Sequence, residues 1–378
     1  MGSDMLIGQS YGRDGPDPYT PEVSVDTTVP YPDLIVGLEL EIENFNEENE
    51  RYFPGVEFTE DGSLRNSDRG MGIEAITLPL QTKYVRNFLE EFFSRYEISN
   101  SNYSERCSVH VHVNVNDMSY EQLASLCLVY QTVEDLLFSY VDSERANSIF
   151  CVPWNQCNLN YSIADKLIEY LKTGVDPFRN WQKYSALNLI PVMSQGSVEF
   201  RHLEGTCDVG KIMGWVSLLS CMMKYVVETP LQNVKENIIR MNTVSNYHDW
   251  LTSVFGKYTN LLRSDSFEKK LSRGVVDTKL ALVRTKKSNW KDCTLRDIPI
   301  FAARQHTQVI GNTIEVTYEE AADREDYFVE TPQEPPPAPR PVPADMWAEA
   351  INAPERERRR EAEVRELMRH MAALRGAQ

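Results

Sequence analysis

The stretch from Leu34 to Glu43 constrains the fold more than any other part of the chain. Its sequence, LIVGLELEIE, alternates apolar and acidic residues, and this two-residue period indicates a β-strand with one apolar and one carboxylate face. Glu39, Glu41 and Glu43 then share a face at a spacing of about 7 Å, where like charges repel one another. The strand is therefore either an exposed edge strand or one wall of a site for a hard divalent cation.

A second alternating stretch, Ser108–Asn116, places four valines on one face and His110 and His112 on the other. Two imidazoles at i and i+2 on the polar face of a strand are suited to bind a metal or to contact phosphate. The alternative is a pair of ordinary surface or core histidines.

Three further acidic residues belong to short motifs. Glu199 and Arg201 share one face of the predicted strand Ser197–Leu203, and such a pair suits either a metal and phosphate site or an ordinary ion pair. Glu74 lies in an apolar strand, where an unpaired carboxylate is costly, so it needs a cation or an arginine partner. Asp61 begins an Asp-Gly-Ser sequence typical of a tight turn.

The ordered set of motifs GLELEIE, DGSL, GIEAITLPL, CSVHVHVNV, KYSALNL and GSVEFRHLEGT resembles the amidoligase family of the glutamine synthetase and glutamate–cysteine ligase superfamily. Phages and bacteria encode many members of this family. The resemblance covers roughly residues 34–210. It implies an α+β fold, in which a curved antiparallel sheet of glutamine-synthetase type surrounds an ATP and metal site and helices pack outside.

The resemblance also implies a role for each candidate residue. Metal ligands would be Glu39, Glu41, His112 and Glu199; catalytic residues would be Arg201, Glu74 and Asp61; and nucleotide-binding residues would be Arg65, His110, Lys183 and Asn188. The implied cofactors are ATP and two Mg²⁺ ions, with Mn²⁺ as a substitute. The implied reaction joins a small-molecule or peptide carboxylate to an amine through an acyl phosphate. The chain lacks a GxxxxGK[ST] phosphate loop, so metals and side chains would bind the phosphates.

Three alternatives remain open from the sequence. A phosphotransferase on the same fold would stop after phosphoryl transfer. A zinc hydrolase would use Cys107, His110, His112 and His202, although their spacing matches no standard zinc pattern. A phage structural or interaction protein would retain the fold without catalysis.

The chain divides by composition into four parts. Residues 1–32 are predicted to be a flexible arm, residues 33–330 the catalytic domain, residues 331–345 a linker with seven prolines, and residues 346–378 a charged C-terminal helix. The narrow apolar stripe of that helix needs a partner surface, which is its own domain, a second copy or another protein. Inside the domain, the patterns predict four main helices: Gln81–Arg95, Ser119–Val141, Val209–Val227 and Asn246–Phe255.

Composition excludes several classes of protein. A net charge of −17 argues against general binding of nucleic acid or of anionic membranes. The sequence shows no apolar run of the roughly 20 residues that a membrane span needs and no secretory signal pattern. Seven scattered cysteines without a CxxC pair are typical of a reducing compartment. We therefore expect a cytoplasmic protein, and the resemblance adds the host cytoplasm of a phage.

Overall fold

The computed structural model describes residues 6–46, 48–66, 70–156, 178, 181–284, 305–310 and 313–318. Within these ranges the fold is α+β, as the sequence predicted. Seven strands form one antiparallel sheet: β1 Ile35–Phe45, β2 Val56–Glu60, β3 Met71–Thr77, β4 Leu80–Gln81, β5 Ser108–Asn114, β6 Leu187–Asn188 and β7 Ser197–Glu204. Their order is β2-β3-β1-β5-β7-β6, and β4 pairs with the beginning of β1. Strands β8 Gln305–Ile310 and β9 Thr313–Tyr318 form a separate hairpin.

Eight α-helices accompany the sheet in the described residues. They are α1 Ile7–Ser10, α2 Thr82–Arg95, α3 Tyr120–Leu137, α4 Pro191–Ser194, α5 Val209–Glu228, α6 Leu231–Arg240, α7 Val244–Phe255 and α8 Phe267–Arg284. The four helices that the sequence predicted correspond to α2, α3, α5 and α7. Helix α3 begins with the predicted capping box, in which Ser119 accepts a hydrogen bond from the backbone N–H of Gln122. The sequence did not predict α1, α4 or α6.

The hydrophobic core contains the apolar face of the sheet. Leu38 and Leu40 of β1 and the valines of β5 are fully or almost fully buried in one cluster with the apolar faces of α2, α3 and α5. Because successive side chains of a strand point to opposite faces, burying these residues directs the intervening acids and histidines to the other face. A register slip of one residue would bury the charges, so the core fixes the position of the polar side chains.

The segment before β1 is packed against the domain, which differs from the flexible arm that its composition predicted. Ile7 is fully buried, and its backbone N–H donates a hydrogen bond to the carbonyl of Met118 at 2.9 Å. The guanidinium of Arg13 donates to the carbonyls of Val192 and Met193. These contacts join single residues of the segment to backbone carbonyls far along the chain, so they leave no periodic signal in the sequence.

Some predictions fall outside the described residues. The proline-rich linker (331–345) and the C-terminal helix (346–378) are among them. None of the helices that the structure describes is long and apolar enough to cross a membrane.

Candidate functional site

Glu39 lies at the centre of a polar cluster on the face of the sheet opposite the core. The strand pairing sets Glu39 of β1 beside His110 of β5, and it sets His112 of β5 beside Glu199 of β7. Oε2 of Glu39 lies 3.0 Å from Nδ1 of His110, and Oε1 lies 3.0 Å from Nε2 of His112. Nδ1 of His110 is also 3.4 Å from Oε1 of Glu199. Three strands therefore bring acids and imidazoles to one point.

On the other side of β1, the acidic cluster continues onto β3. Glu41 is paired with Glu74 in the sheet. Three groups of side chains have ligand atoms that all lie within 4.8 Å of one another: Glu39 with Glu74 and His110, Glu39 with His112 and Glu199, and Glu41 with Asp61 and Glu74. Glu39 belongs to two of these groups and Glu74 also belongs to two. The side chains thus line a continuous strip across the sheet, not separate pockets.

The two carboxylates at the centre of this strip have opposite pKa shifts. Burial alone would raise the pKa of Glu39, but the close contacts and charges of His110 and His112 hold it far below the ordinary value. Burial, followed by the charges of Glu39, Glu41 and Asp61, raises the pKa of Glu74 to about 7. Among the described residues no lysine or arginine pairs with Glu74, and a bound cation would supply the missing positive charge.

The two histidines differ in how their nitrogens are used. Both nitrogens of His110 have protein partners, because Nε2 lies 2.8 Å from Oγ of Ser108. Nδ1 of His112 lies 3.1 Å from Oγ of Ser197, while its buried Nε2 faces Glu39 without hydrogen-bond geometry. A metal-binding histidine usually holds a partner with its second nitrogen in this way. The residues present therefore fit a divalent cation, with His112 better placed than His110 as a ligand.

Arg201 borders the cluster at its β7 end. Its Nη1 contacts Oε1 of Glu199, and Nδ2 of Asn188 donates to the other oxygen of Glu199 at 2.8 Å. The guanidinium carbon lies 5.8 Å from the centre of the Tyr184 ring, and Nε donates to the carbonyl of Phe150 at 3.0 Å. Arg201 is thus held by groups on three sides, and guanidinium groups at such a margin suit phosphate recognition as well as ion pairing.

Two predicted nucleotide-binding side chains lie apart from this cluster. Arg65 extends into an exposed ion pair with Glu105 at 2.6 Å, and its backbone N–H donates to Glu43 at 2.8 Å. Lys183 is exposed, with its ammonium 5.5 Å from the centre of the Tyr184 ring. Both residues lie in loops, where the sequence gives no information on side-chain direction. The structure brings together the other candidates, namely Glu39, Glu41, Asp61, Glu74, His110, His112, Asn188, Glu199 and Arg201.

The zinc arrangement considered from the sequence is not formed. His202 packs on the apolar side of β7, with its ring centre 5.1 Å from that of Trp215. Sγ of Cys107 is buried and lies 3.9 Å from the carbonyl oxygen of Asn102. No group of potential ligands among the described residues includes either side chain. Cys107 and His202 both lie on the apolar side of the sheet, whereas His110 and His112 lie on the opposite side.

Two serines that the sequence reasoning missed support the cluster. The backbone N–H and hydroxyl of Ser108 donate to Oε2 of Glu41 at 2.7 and 2.5 Å. Ser197 contacts His112 as described above. Each serine lies two residues before a predicted site residue on the same strand, so the alternation that identified His110 and Glu199 also places Ser108 and Ser197 on the site face.

One family model matches part of the chain. A family model described as "Putative amidoligase enzyme" matches residues 57–223, a little under half of the chain. No curated protein matches the chain. The matched region includes β3, β5 and β7, with Glu74, His112, Glu199 and Arg201. Strand β1 precedes the match, but it pairs with β3 and β5 inside it and so belongs to the same sheet.

Proposed function

We propose that this protein is an ATP- and Mg²⁺-dependent ligase that joins a carboxylate to an amine, because a family model described as "Putative amidoligase enzyme" matches residues 57–223. The observation that carries the proposal is the convergence of Glu39, His112 and Glu199, from three strands, beside the guanidinium of Arg201. Acids and imidazoles suit a divalent cation, and arginine suits a transferring phosphoryl group. The proposed substrates are a small-molecule or peptide carboxylate and an amine.

Each end of the site would hold one cation. At the β7 end, Glu39, His112 and Glu199 would hold one cation, and Arg201 would stabilise negative charge on the transferred phosphoryl oxygens. At the β3 end, Glu41, Asp61 and Glu74 would hold a second cation. When bound, Mg²⁺ neutralises phosphate charge and so makes the terminal phosphoryl group accessible to an anionic carboxylate.

In the proposed reaction the carboxylate reacts first and the amine second. A carboxylate is a poor electrophile, so its oxygen first attacks the terminal phosphorus of ATP, and ADP leaves. The amine then attacks the carbonyl carbon, the bond to the phosphate oxygen breaks, and inorganic phosphate departs. One proton of the attacking amine must be removed, and an oxygen of Glu74 or Asp61 that does not bind the cation would accept it. Each turnover thus releases one ADP and one phosphate for one amide.

A product assay tests this proposal. MgATP is incubated with the full-length protein and panels of amino acids, short peptides and amines, and ADP, phosphate and new masses are measured together. We expect ADP release to require both a carboxylate and an amine and to match the amount of amide formed. A stable phosphorylated product without amide would indicate a phosphotransferase instead, and no ADP release with any pair would contradict the proposal.

Glu199→Gln is the matched variant, because it removes the charge and retains the shape and the contact with Asn188. We expect the rate of ADP release to fall by on the order of 10²-fold or more, with an unchanged circular dichroism spectrum. Glu204→Gln is the control on the same strand, because Glu204 pairs with Lys211 outside the cluster. Equal activity of Glu199→Gln and the wild-type protein would contradict the assigned role.

A further inference from the structure

An exposed aromatic surface borders the site beyond Arg201. We call Ile149, Phe150 and Tyr184 the rim patch. Ile149 is 72% exposed and Phe150 is 38% exposed, while Tyr184 is half-buried. The rings of Phe150 and Tyr184 meet edge to face, with their centroids 5.6 Å apart. Adjacent large apolar residues exposed at the margin of a polar site are a common mark of ligand binding.

The rim patch is held in a fixed position relative to the candidate metal ligands. Arg201 links them, because its Nε donates to the carbonyl of Phe150 at 3.0 Å and its Nη1 contacts Glu199. The backbone of Val152 reinforces this link, since its N–H donates to the carbonyl of Tyr184 at 2.7 Å and its carbonyl accepts from Ala186 at 2.8 Å. Arg201 and the backbone of Val152 together therefore hold the rim patch beside Glu199.

Two positive charges lie around the rim patch. The guanidinium carbon of Arg201 is 5.8 Å from the Tyr184 ring centre, and the ammonium of Lys183 is 5.5 Å from the same point. An aromatic surface next to cations suits a ligand that has a planar ring at one end and negative charge at the other. A nucleotide has this form, with its base and its phosphates separated by a ribose.

The geometry points to the rim patch as the binding surface for the nucleobase of ATP, with Phe150 as the stacking ring and with Arg201 and Lys183 toward the phosphates. This inference rests on the proposed ATP-dependent function and deepens it. It also gives Lys183 a place near the nucleotide, although its side chain lies apart from the metal ligands. The apolar part of a carboxylate or amine substrate would use the same surface, and the experiment separates the two.

The test compares two probes that differ in the nucleoside. Dissociation constants of MgATP and of magnesium tripolyphosphate are measured by calorimetry on the full-length protein, for the wild type and for Phe150→Ala. We expect Phe150→Ala to raise the dissociation constant of MgATP by roughly tenfold, which is the loss typical of one stacked base. The dissociation constant of magnesium tripolyphosphate should stay unchanged. Phe150→Trp restores the affinity for MgATP, because it retains a stacking ring. The backbone carbonyl that binds Arg201 is present in all three proteins.

Tyr52→Ala is the control, since Tyr52 is an aromatic residue that is 60% exposed and lies outside the rim patch. Equal affinity of the wild type and Phe150→Ala for MgATP would overturn the inference. An equal loss for both probes would also overturn it, because the change would then act through Arg201. If the wild-type protein bound tripolyphosphate as tightly as MgATP, the binding surface for the base would be refuted, but the proposed ATP dependence would not. Binding of neither probe would refute the proposed ATP dependence as well.

Discussion

The pKa of Glu39 depends on the two histidines beside it. Glu39 faces an imidazole with each of its two oxygens, and the contacts and charges of the two imidazoles outweigh the cost of its burial. Glu74, one strand away, has no such partner in the part of the chain that the structure describes, and its pKa is raised. The pKa values of two residues of the same type on neighbouring strands are therefore shifted in opposite directions, and a cation that bound between them would favour the charged form of both.

His202 provides a prediction on the other side of the sheet. Burial, followed by the charge of Arg145, lowers its pKa from 6.5 to about 3. Between these two values the unfolded chain binds a proton at this residue and the folded protein does not, so its contribution to stability is lost as the pH falls. Replacing His202 with Phe, among the rings of Phe138 and Trp215, should reduce the loss of unfolding free energy between pH 7 and pH 3.5 by on the order of 2–4 kcal/mol.

The measurement is urea denaturation at a series of pH values. Glu134 has the opposite sign, because burial raises its pKa from 4.5 to about 7 and its contribution is lost as the pH rises through that range. Glu134 is present in both proteins, so its contribution cancels in the difference between the wild type and His202→Phe, and that difference should grow as the pH falls from 6.5 towards 3.5. Identical acid dependence of the two proteins would show that His202 is not neutral in the fold.

At the scale of the elements, the sequence predicted those parts of the site that lie on regular strands. The acids of β1 and the histidines of β5 follow from a two-residue period, because burying one face determines what the other face presents. Phe150 and Tyr184 lie in irregular segments without such a period, and their meeting depends on the backbone contacts of Val152. Helix α4 was missed for a similar reason, since four residues are too few to show helical periodicity.

The crossing of α3 and α8 gives a prediction for packing. A Cβ added at Gly274 of α8 would lie 2.0 Å from the carbonyl oxygen of Thr132 of α3, and backbone atoms cannot move away without shifting a helix. Gly274→Ala should therefore lower the unfolding free energy by about 1–3 kcal/mol, although alanine is the better helix former. Thermal and urea denaturation measure the change.

Gly62→Ala is the matched control, because a Cβ at Gly62 meets no atom within 4 Å. Its stability should equal that of the wild type within about 0.5 kcal/mol. If Gly274→Ala were as stable as Gly62→Ala, the two helices could not cross as closely as the structure has them.

For the whole molecule, binding of a cation to the folded state alone should raise the melting temperature. Mg²⁺ or Mn²⁺ at about a hundred times its dissociation constant adds ~2.7 kcal/mol of stability, which corresponds to several degrees. We expect this rise in the wild-type protein and its loss in Glu39→Gln, because Glu39 belongs to two of the three groups of potential ligands. Differential scanning fluorimetry with and without a chelator measures it.

Glu90→Gln is the control for the change of charge, since Glu90 is exposed on α2. It should retain the full metal-dependent shift. A shift of the same size in Glu39→Gln would mean that the cation stabilises the protein from another place. A shift that is absent in the wild-type protein would contradict a cation site on this sheet.

Glu39 and Glu74 each belong to two neighbouring groups of potential ligands, so binding of one cation would affect binding of the next. A carboxylate turned toward one ion presents its second oxygen to the next position, so the first ion to arrive orients the ligands that the second one needs. Occupancy would then rise steeply over a narrow range of ion concentration, as it does in cooperative binding. With two sites the Hill coefficient for Mg²⁺ would lie between about 1 and 2, so a singly occupied protein would be less populated than independent sites would give.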